Sequence, residues 1–143
     1  MNVYPTRDQI MDSPPKHKPE VLRIVKSWKN DEWYMGRRRA DRRKFEALAL
    51  LIDRIAMFYG KPVEISFDGN PPYFGRTSGA SFYNDDRIFL AGPPSILTAL
   101  HELAHHLFGP DELKACRWSV HLFKKIFPKA FARLRWEGHT LVR

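Results

Sequence analysis

The chain has 143 residues, which is long enough for one compact domain with a real core and too short for two independent ones. Hydrophobic residues make up 43% and charged residues 28%, a composition typical of globular proteins that argues against a disordered or membrane-embedded chain. The only cysteine is Cys116, which excludes an internal disulfide and predicts that any metal site uses histidine and carboxylate ligands.

The N-terminal segment contains the run SPPKHKP, whose prolines cannot join a helix interior or a central strand. We therefore expect a flexible tail over residues 1–18 and a single domain over residues 19–143. The first residues have no apolar core of the kind that a secretory signal needs, and no window approaches twenty apolar residues. These features predict a cytoplasmic protein that makes no membrane contact.

Positive charge is concentrated near the N-terminus. The formal net charge is +8, and residues 1–44 carry 12 Lys and Arg against 6 Asp and Glu. The run GRRRADRRK, residues 36–44, has two interpretations that the sequence leaves open. It lies along the phosphates of a nucleic acid or along an acidic partner, or it is the solvated basic start of a helix.

The spacing of apolar residues predicts an α+β fold. Three-and-four spacing indicates helices over residues 19–34 and 39–59, whereas alternation indicates a strand at residues 62–67 and two more within residues 79–91 around an Asn-Asp-Asp turn. We expect these strands to form a small, mainly antiparallel sheet. Residues 94–135 are predicted to be helices broken at Gly109-Pro110 and at Pro128, followed by a short C-terminal tail.

The segment ILTALHELAHHLF contains an HExxH motif on a predicted helix. At about 100° per residue, His101 and His105 lie about 40° apart on one face, so both imidazoles can bind one ion. Glu102 falls at about 100°, beside the pair, where a carboxylate can contact a water activated by the metal. His106, at about 140°, points elsewhere and is interpreted as a non-ligand. Neutral imidazoles with one further protein ligand are typical of a catalytic zinc ion, one per chain.

The third ligand is expected just downstream, and three residues are candidates. Glu112 lies on the same face of the next predicted helix as its apolar residues, where an unpaired carboxylate is costly, and this favours Glu112. Asp111 is interpreted as a helix cap, and His121 falls in a basic stripe that is predicted to face solvent. The break at Gly109-Pro110 would return the chain to the ion.

These residues carry a resemblance to known enzymes. HELAHHLFG, followed by Glu112, Ala115, Ser119 and Leu122-Phe123, resembles the ImmA/IrrE family of zinc metallopeptidases over roughly residues 79–128, although Cys116 stands where that pattern has Asn. The resemblance implies a small zincin-like domain with an N-terminal helix, a short sheet, the HExxH helix and a following helix. It also implies that His101, His105 and Glu112 are ligands and that Glu102 is the general base. The segment GASFYNDDRIFLAGPPSILTALHELAHHL, with His121-Leu122-Phe123 downstream, has a weaker similarity to SprT-like proteases, which would instead imply His121 as third ligand.

The sequence therefore predicts a metallopeptidase that hydrolyses a peptide bond in a protein partner by metal-activated water, with Glu102 as general base. Tyr83, His106 and His121 are candidate donors for the developing oxyanion. The alternative is a basic, nucleic-acid-associated or regulatory module in which the zinc site is structural or vestigial.

Overall fold

The computed structural model describes residues 4–33, 41–68, 79–82, 86–91 and 95–142. Three helices precede the sheet: α1 (Arg7–Asp12), α2 (Pro19–Trp28) and α3 (Asp41–Phe58). The π-helical turn Lys29–Trp33 continues α2, so the helical segment predicted from residue 19 changes its hydrogen-bonding pattern after Trp28. The buried indole of Trp28 donates to the carbonyl of Ala47 at 2.6 Å and thereby joins α2 to α3.

The principal sheet has three strands: β1 (Glu64–Asp68), β2 (Gly79–Phe82) and β3 (Arg87–Ala91). Their order is β1-β3-β2, with β2 antiparallel and β1 parallel to β3. The two antiparallel strands predicted within residues 79–91 are thus confirmed, whereas residues 83–85 of the predicted turn lie outside the described residues. The sheet is mixed rather than mainly antiparallel. Alternation of side chains identifies strands without specifying which edges pair, and β1 joins the edge of β3 opposite β2. The loop of residues 69–78 lies outside the described residues.

Three helices follow the sheet: α4 (Ile96–Phe108), α5 (Glu112–Ile126) and α6 (Pro128–Ala132). Their breaks confirm the predicted interruptions at Gly109-Pro110 and Pro128. Helix α4 occupies the middle of the fold, because it contacts α3, α5, β2 and β3. Its apolar face is fully buried, and the HExxH motif is therefore held on the most enclosed helix of the described chain. The fully buried residues of that face are Ala99, Leu100, Leu103 and Ala104.

The two ends of the chain differ from the sequence-based expectation. In the segment predicted as a flexible tail, Thr6 and Gln9 form a capping box that starts α1 before the prolines are reached. Ile10 of α1 is fully buried against Cys116 and Val120 of α5. At the other end, the predicted tail forms a hairpin of β4 (Arg135–Glu137) and β5 (Thr140–Val142). None of the described helices is both long and apolar enough to cross a membrane.

Candidate metal centre

The two motif histidines stand one turn apart on α4, as the HExxH spacing predicts. The ring centroids of His101 and His105 are 4.8 Å apart, and the ring planes are almost perpendicular, at 83°. Their side chains remain 22% and 11% exposed, so the pair lies at the edge of the buried face with one side open.

A sharp reversal brings α5 back to this histidine pair. Gly109 ends α4 with φ 100° and ψ −164°, a conformation that is essentially restricted to glycine, and its N–H donates to the carbonyl of His105. The Asp111 side chain then accepts from the N–H of Lys114 at 3.2 Å and caps α5, which begins at Glu112. The turn at Gly109-Pro110 therefore places Glu112 beside α4, the preceding helix.

Glu112 contacts both histidines at once. Its Oε1 lies 2.9 Å from Nε2 of His101, and its Oε2 lies 3.0 Å from Nε2 of His105. Hydrogen bonds from these two imidazoles hold the pKa of the Glu112 carboxyl well below its usual range. The carboxylate is thus negatively charged and fixed at the centre of the cluster.

The outer nitrogen of His105 is also fixed. Its Nδ1 donates to the carbonyl of Gly109 at 2.9 Å, which directs Nε2 towards Glu112. The hydrogen bond with Glu112 is the main cause that raises the pKa of His105; burial opposes it, and the Gly109 carbonyl adds to it. The Glu112 carboxylate and the Gly109 carbonyl therefore stabilise positive charge at His105, either as a proton on the ring or as a cation bound to its Nε2.

The residues fit a zinc ion by type and by spacing. One candidate ligand atom from each of His101, His105 and Glu112 lies within 4.8 Å of the others. Tetrahedral zinc with bonds of about 2.0–2.1 Å to nitrogen and oxygen separates neighbouring ligand atoms by about 3.3 Å. Each histidine meets a different oxygen of Glu112, at 2.9 and 3.0 Å, and each of these contacts is within a few tenths of an ångström of that value. The structure thus contains a candidate metal-binding triad.

Glu102 lies close enough to the triad to interact electrostatically with all three of its members. The residue is buried, with 9% of its surface exposed. Burial raises the pKa of its carboxyl, while His101 and His105 oppose that shift. A buried carboxyl with a raised pKa is suited to accept and return a proton.

His106 is directed away from the triad, in agreement with its interpretation as a non-ligand. Its side chain is 1% exposed, its Nε2 donates to the carbonyl of Lys61 at 2.8 Å, and its Nδ1 lies 3.8 Å from Asp86 Oδ1 without a hydrogen bond. Because Nε2–H is already engaged, His106 is not placed to stabilise an oxyanion, contrary to its inclusion among the candidate donors. The hydrogen bond from His106 joins α4 to Lys61, in the segment that follows α3.

The other candidate ligands are used elsewhere. Asp111 caps α5 and is exposed, and His121 donates its Nε2–H to the carbonyl of Ile10 at 2.9 Å. His121 is half-buried rather than solvated, because α1 covers part of the basic stripe that was predicted to face water. The structure therefore brings Glu112, and neither alternative, to the histidine pair.

Two further candidates fall partly or wholly beyond the described residues. Tyr83 lies outside them, as do residues 36–40 of the basic run. The described arginines of that run, Arg42 and Arg43, are exposed and form surface ion pairs with Glu46 at 3.9 and 3.3 Å. The described part of the run therefore forms the exposed start of α3.

Cys116 is a neighbour of the triad that was not among the residues predicted from the sequence. Its Sγ lies 3.6 Å from Glu112 Oε1 and 3.9 Å from His101 Nδ1. Burial, with the adjacent Glu112 charge, raises the pKa of this thiol to about 12. The signal was present in the spacing, because a residue four positions after Glu112 on a helix lies on the same face.

Comparisons with known proteins give no relative for this arrangement. A scan against protein-family models found no match, and searches of curated proteins and of solved structures found no similar protein.

Proposed function

We propose that the chain is a zinc-dependent metallopeptidase built on a small zincin-like domain, which hydrolyses a peptide bond in a protein partner. The observation that carries the proposal is the convergence of two imidazoles and one carboxylate beside a buried glutamate. Two helices supply these groups, and the tight turn at Gly109 sets their separation. The arrangement supplies both the ligands and the proton carrier that metal-assisted amide hydrolysis requires.

Each residue has a distinct role in this proposal. His101, His105 and Glu112 hold the ion, and the hydrogen bond to the Gly109 carbonyl keeps the His105 ring oriented. Bound zinc supplies a Lewis acid that polarises the substrate carbonyl and activates water. Glu102 accepts the proton of the attacking water and returns it to the leaving amine. The raised pKa of its carboxyl favours that return.

The composition of the site favours catalysis over a structural zinc ion. Structural zinc sites use four protein ligands, whereas catalytic sites use three and leave a position for water or substrate. The described residues supply the three members of the triad, and the exposed fractions of 22% for His101 and 35% for Glu112 leave one side open. A carbonyl can approach from that side.

Metal content tests the ligand set directly. We expect about one zinc per chain in the reconstituted wild-type protein, measured by elemental analysis, in keeping with one catalytic ion per site. Glu112→Ala should lose the zinc, and His121→Ala should keep it, because His121 bonds only the Ile10 carbonyl among the described contacts. Zinc lost with His121→Ala but kept with Glu112→Ala would contradict the proposed triad, and a wild type without zinc would end the enzyme proposal.

The hydrolytic role is tested with Glu102→Gln, which keeps the shape of the side chain but removes its basicity. The variant should retain zinc, and its rate should fall by roughly 10²–10⁴-fold, as expected for loss of a general base. Because the substrate is unidentified, a cell lysate is incubated with each zinc-loaded protein and new protein N-termini are labelled and counted by mass spectrometry. Equal numbers of new N-termini with wild type and Glu102→Gln would refute Glu102 as the base.

A further inference from the structure

The thiol of Cys116 sits behind the candidate metal ligands rather than among them. Cys116 lies one turn after Glu112 on α5 and is buried, with 5% of its surface exposed. Its Sγ is 3.6 Å from Glu112 Oε1 and 3.9 Å from His101 Nδ1, within the longer range of hydrogen bonds to sulfur. The thiol thus contacts two members of the triad, one from each helix.

The two histidines differ in what holds their outer nitrogens. His105 donates Nδ1–H to a backbone carbonyl at 2.9 Å, an ordinary strong partner. His101 directs Nδ1 towards Cys116 Sγ, while its Nε2 contacts Glu112. Ligand histidines usually hold their second nitrogen by such a contact, which sets the ring orientation and the tautomer. For His101, the described residue in that place is Cys116.

The hydrogens can be assigned consistently around these three groups. A thiol has one proton to donate and lone pairs to accept, so it can donate S–H to Glu112 Oε1 while it accepts Nδ1–H from His101. With an ion bound, Nε2 of His101 would bind the ion instead of donating to Glu112, and the Nδ1–H tautomer that Cys116 accepts from is the one this binding requires. The S–H donated by Cys116 also holds Glu112 at Oε1, whereas His105 contacts Oε2 of the same carboxylate.

We propose that Cys116 is a positioning residue for the metal centre, which orients His101 and Glu112 by hydrogen bonds and does not itself bind the ion. The inference rests on the zinc site proposed above. The position of the sulfur supports it, because Sγ lies near Nδ1 of His101, across the ring from the Nε2 atom that faces Glu112. The thiol therefore increases metal affinity without closing the open side of the site.

The test compares zinc affinities of the full-length protein and three variants by competition with a chromogenic chelator. Cys116→Val keeps a similar volume but removes both hydrogen bonds, and should weaken zinc binding by about 10- to 100-fold, the usual effect of losing a group that orients a ligand. Cys116→Ser restores a donor and acceptor and should recover part of that loss. Ser119→Ala is the matched control and should leave zinc affinity unchanged, since Ser119 is buried on the same helix but bonds only the backbone carbonyls of Ala115 at 2.8 Å and Cys116 at 3.3 Å among the described contacts.

Cobalt substitution supplies a readout that a purely structural role would not change. The wild-type Co²⁺ protein should show no sulfur-to-metal charge-transfer band, and Cys116→Val should alter the visible d–d bands because the ligand geometry changes. A charge-transfer band in the wild type would overturn the inference by making Cys116 a ligand. Equal zinc affinities for wild type and Cys116→Val would overturn it while leaving the zinc site intact, whereas a wild type that binds no zinc would overturn the proposed function itself.

Discussion

Replacement of Gly109 by alanine tests the link between the helix reversal and the metal centre. Gly109 has φ 100° and ψ −164°, and a Cβ added there would meet no atom within 4 Å. The cost of Gly109→Ala therefore arises from the backbone conformation and not from a clash. A non-glycine residue held in such a region costs about 1–3 kcal/mol.

Gly60 provides a matched control. It also has open space around an added Cβ, but its φ of 69° lies in the left-handed helical region. Gly60→Ala should cost about 1–2 kcal/mol, and Gly60→Asn less, because asparagine tolerates that region. Asparagine gains no such relief at Gly109, so Gly109→Asn should remain as destabilising as Gly109→Ala. The contrast between the two asparagine variants isolates the backbone requirement at Gly109.

Thermal unfolding and zinc affinity measure the two consequences. For a chain of this size, about 1 kcal/mol corresponds to roughly 3–4 °C in Tm, so Gly109→Ala should lower Tm by about 3–12 °C. It should also weaken zinc binding, because the Gly109 carbonyl accepts from His105 Nδ1 and the turn sets the position of Glu112. Gly60→Ala should leave zinc affinity unchanged. If Gly109→Asn and Gly60→Asn were equally stable and bound zinc equally well, the reversal at Gly109 would not require glycine.

Three further predictions concern the interface between the N-terminal segment and α5. Ile10→Ala removes a fully buried side chain and should destabilise the protein by about 2–5 kcal/mol in denaturant unfolding, whereas an unchanged midpoint would indicate a loosely attached tail. Burial lowers the pKa of His17, whose Nε2 donates to the Trp118 carbonyl at 2.9 Å. At pH values between that lowered pKa and 6.5, the unfolded chain binds more protons at His17 than the folded chain does. The contribution of His17 to stability therefore falls as pH drops below about 6.5. The stability difference between wild type and His17→Gln should therefore change over pH 5–7, about the range in which histidine titrates, and a constant difference would refute this. His121→Ala loses one hydrogen bond to Ile10 and should cost about 1 kcal/mol in the same unfolding assay, and a cost near zero would refute a structural role for that bond.

The periodic helices and their breaks were the predictable part of the fold. Apolar spacing and Gly-Pro signals placed α3, α4 and α5 to within a few residues, because each of these helices buries one face. The same helical spacing favoured Glu112 as the third candidate ligand, because a carboxylate on the apolar face of a helix needs a partner. The structure supplies that partner as His101 and His105.

The segments that the sequence did not reveal are short or depend on distant contacts. Helix α1 has six residues, too few for a periodic pattern, and is stabilised where Arg117 and His121 bond the carbonyls of Gln9 and Ile10. The parallel pairing of β1 with β3 is a contact between distant parts of the chain, which the alternation of side chains does not encode. The contact between Cys116 and His101 joins two helices, and no local pattern encodes it.

Helix α5 lies between the triad and the N-terminal segment, and this has a thermodynamic consequence. One side of α5 carries Glu112 to the histidines of α4, while other positions on it hold α1 through Ile10, Arg117 and His121. An ion that fixes α5 against α4 therefore also favours the docked state of α1, and by linkage the docking of α1 increases the affinity for the ion by the same factor. Loss of residues 4–12 would then lower metal affinity without removing a ligand.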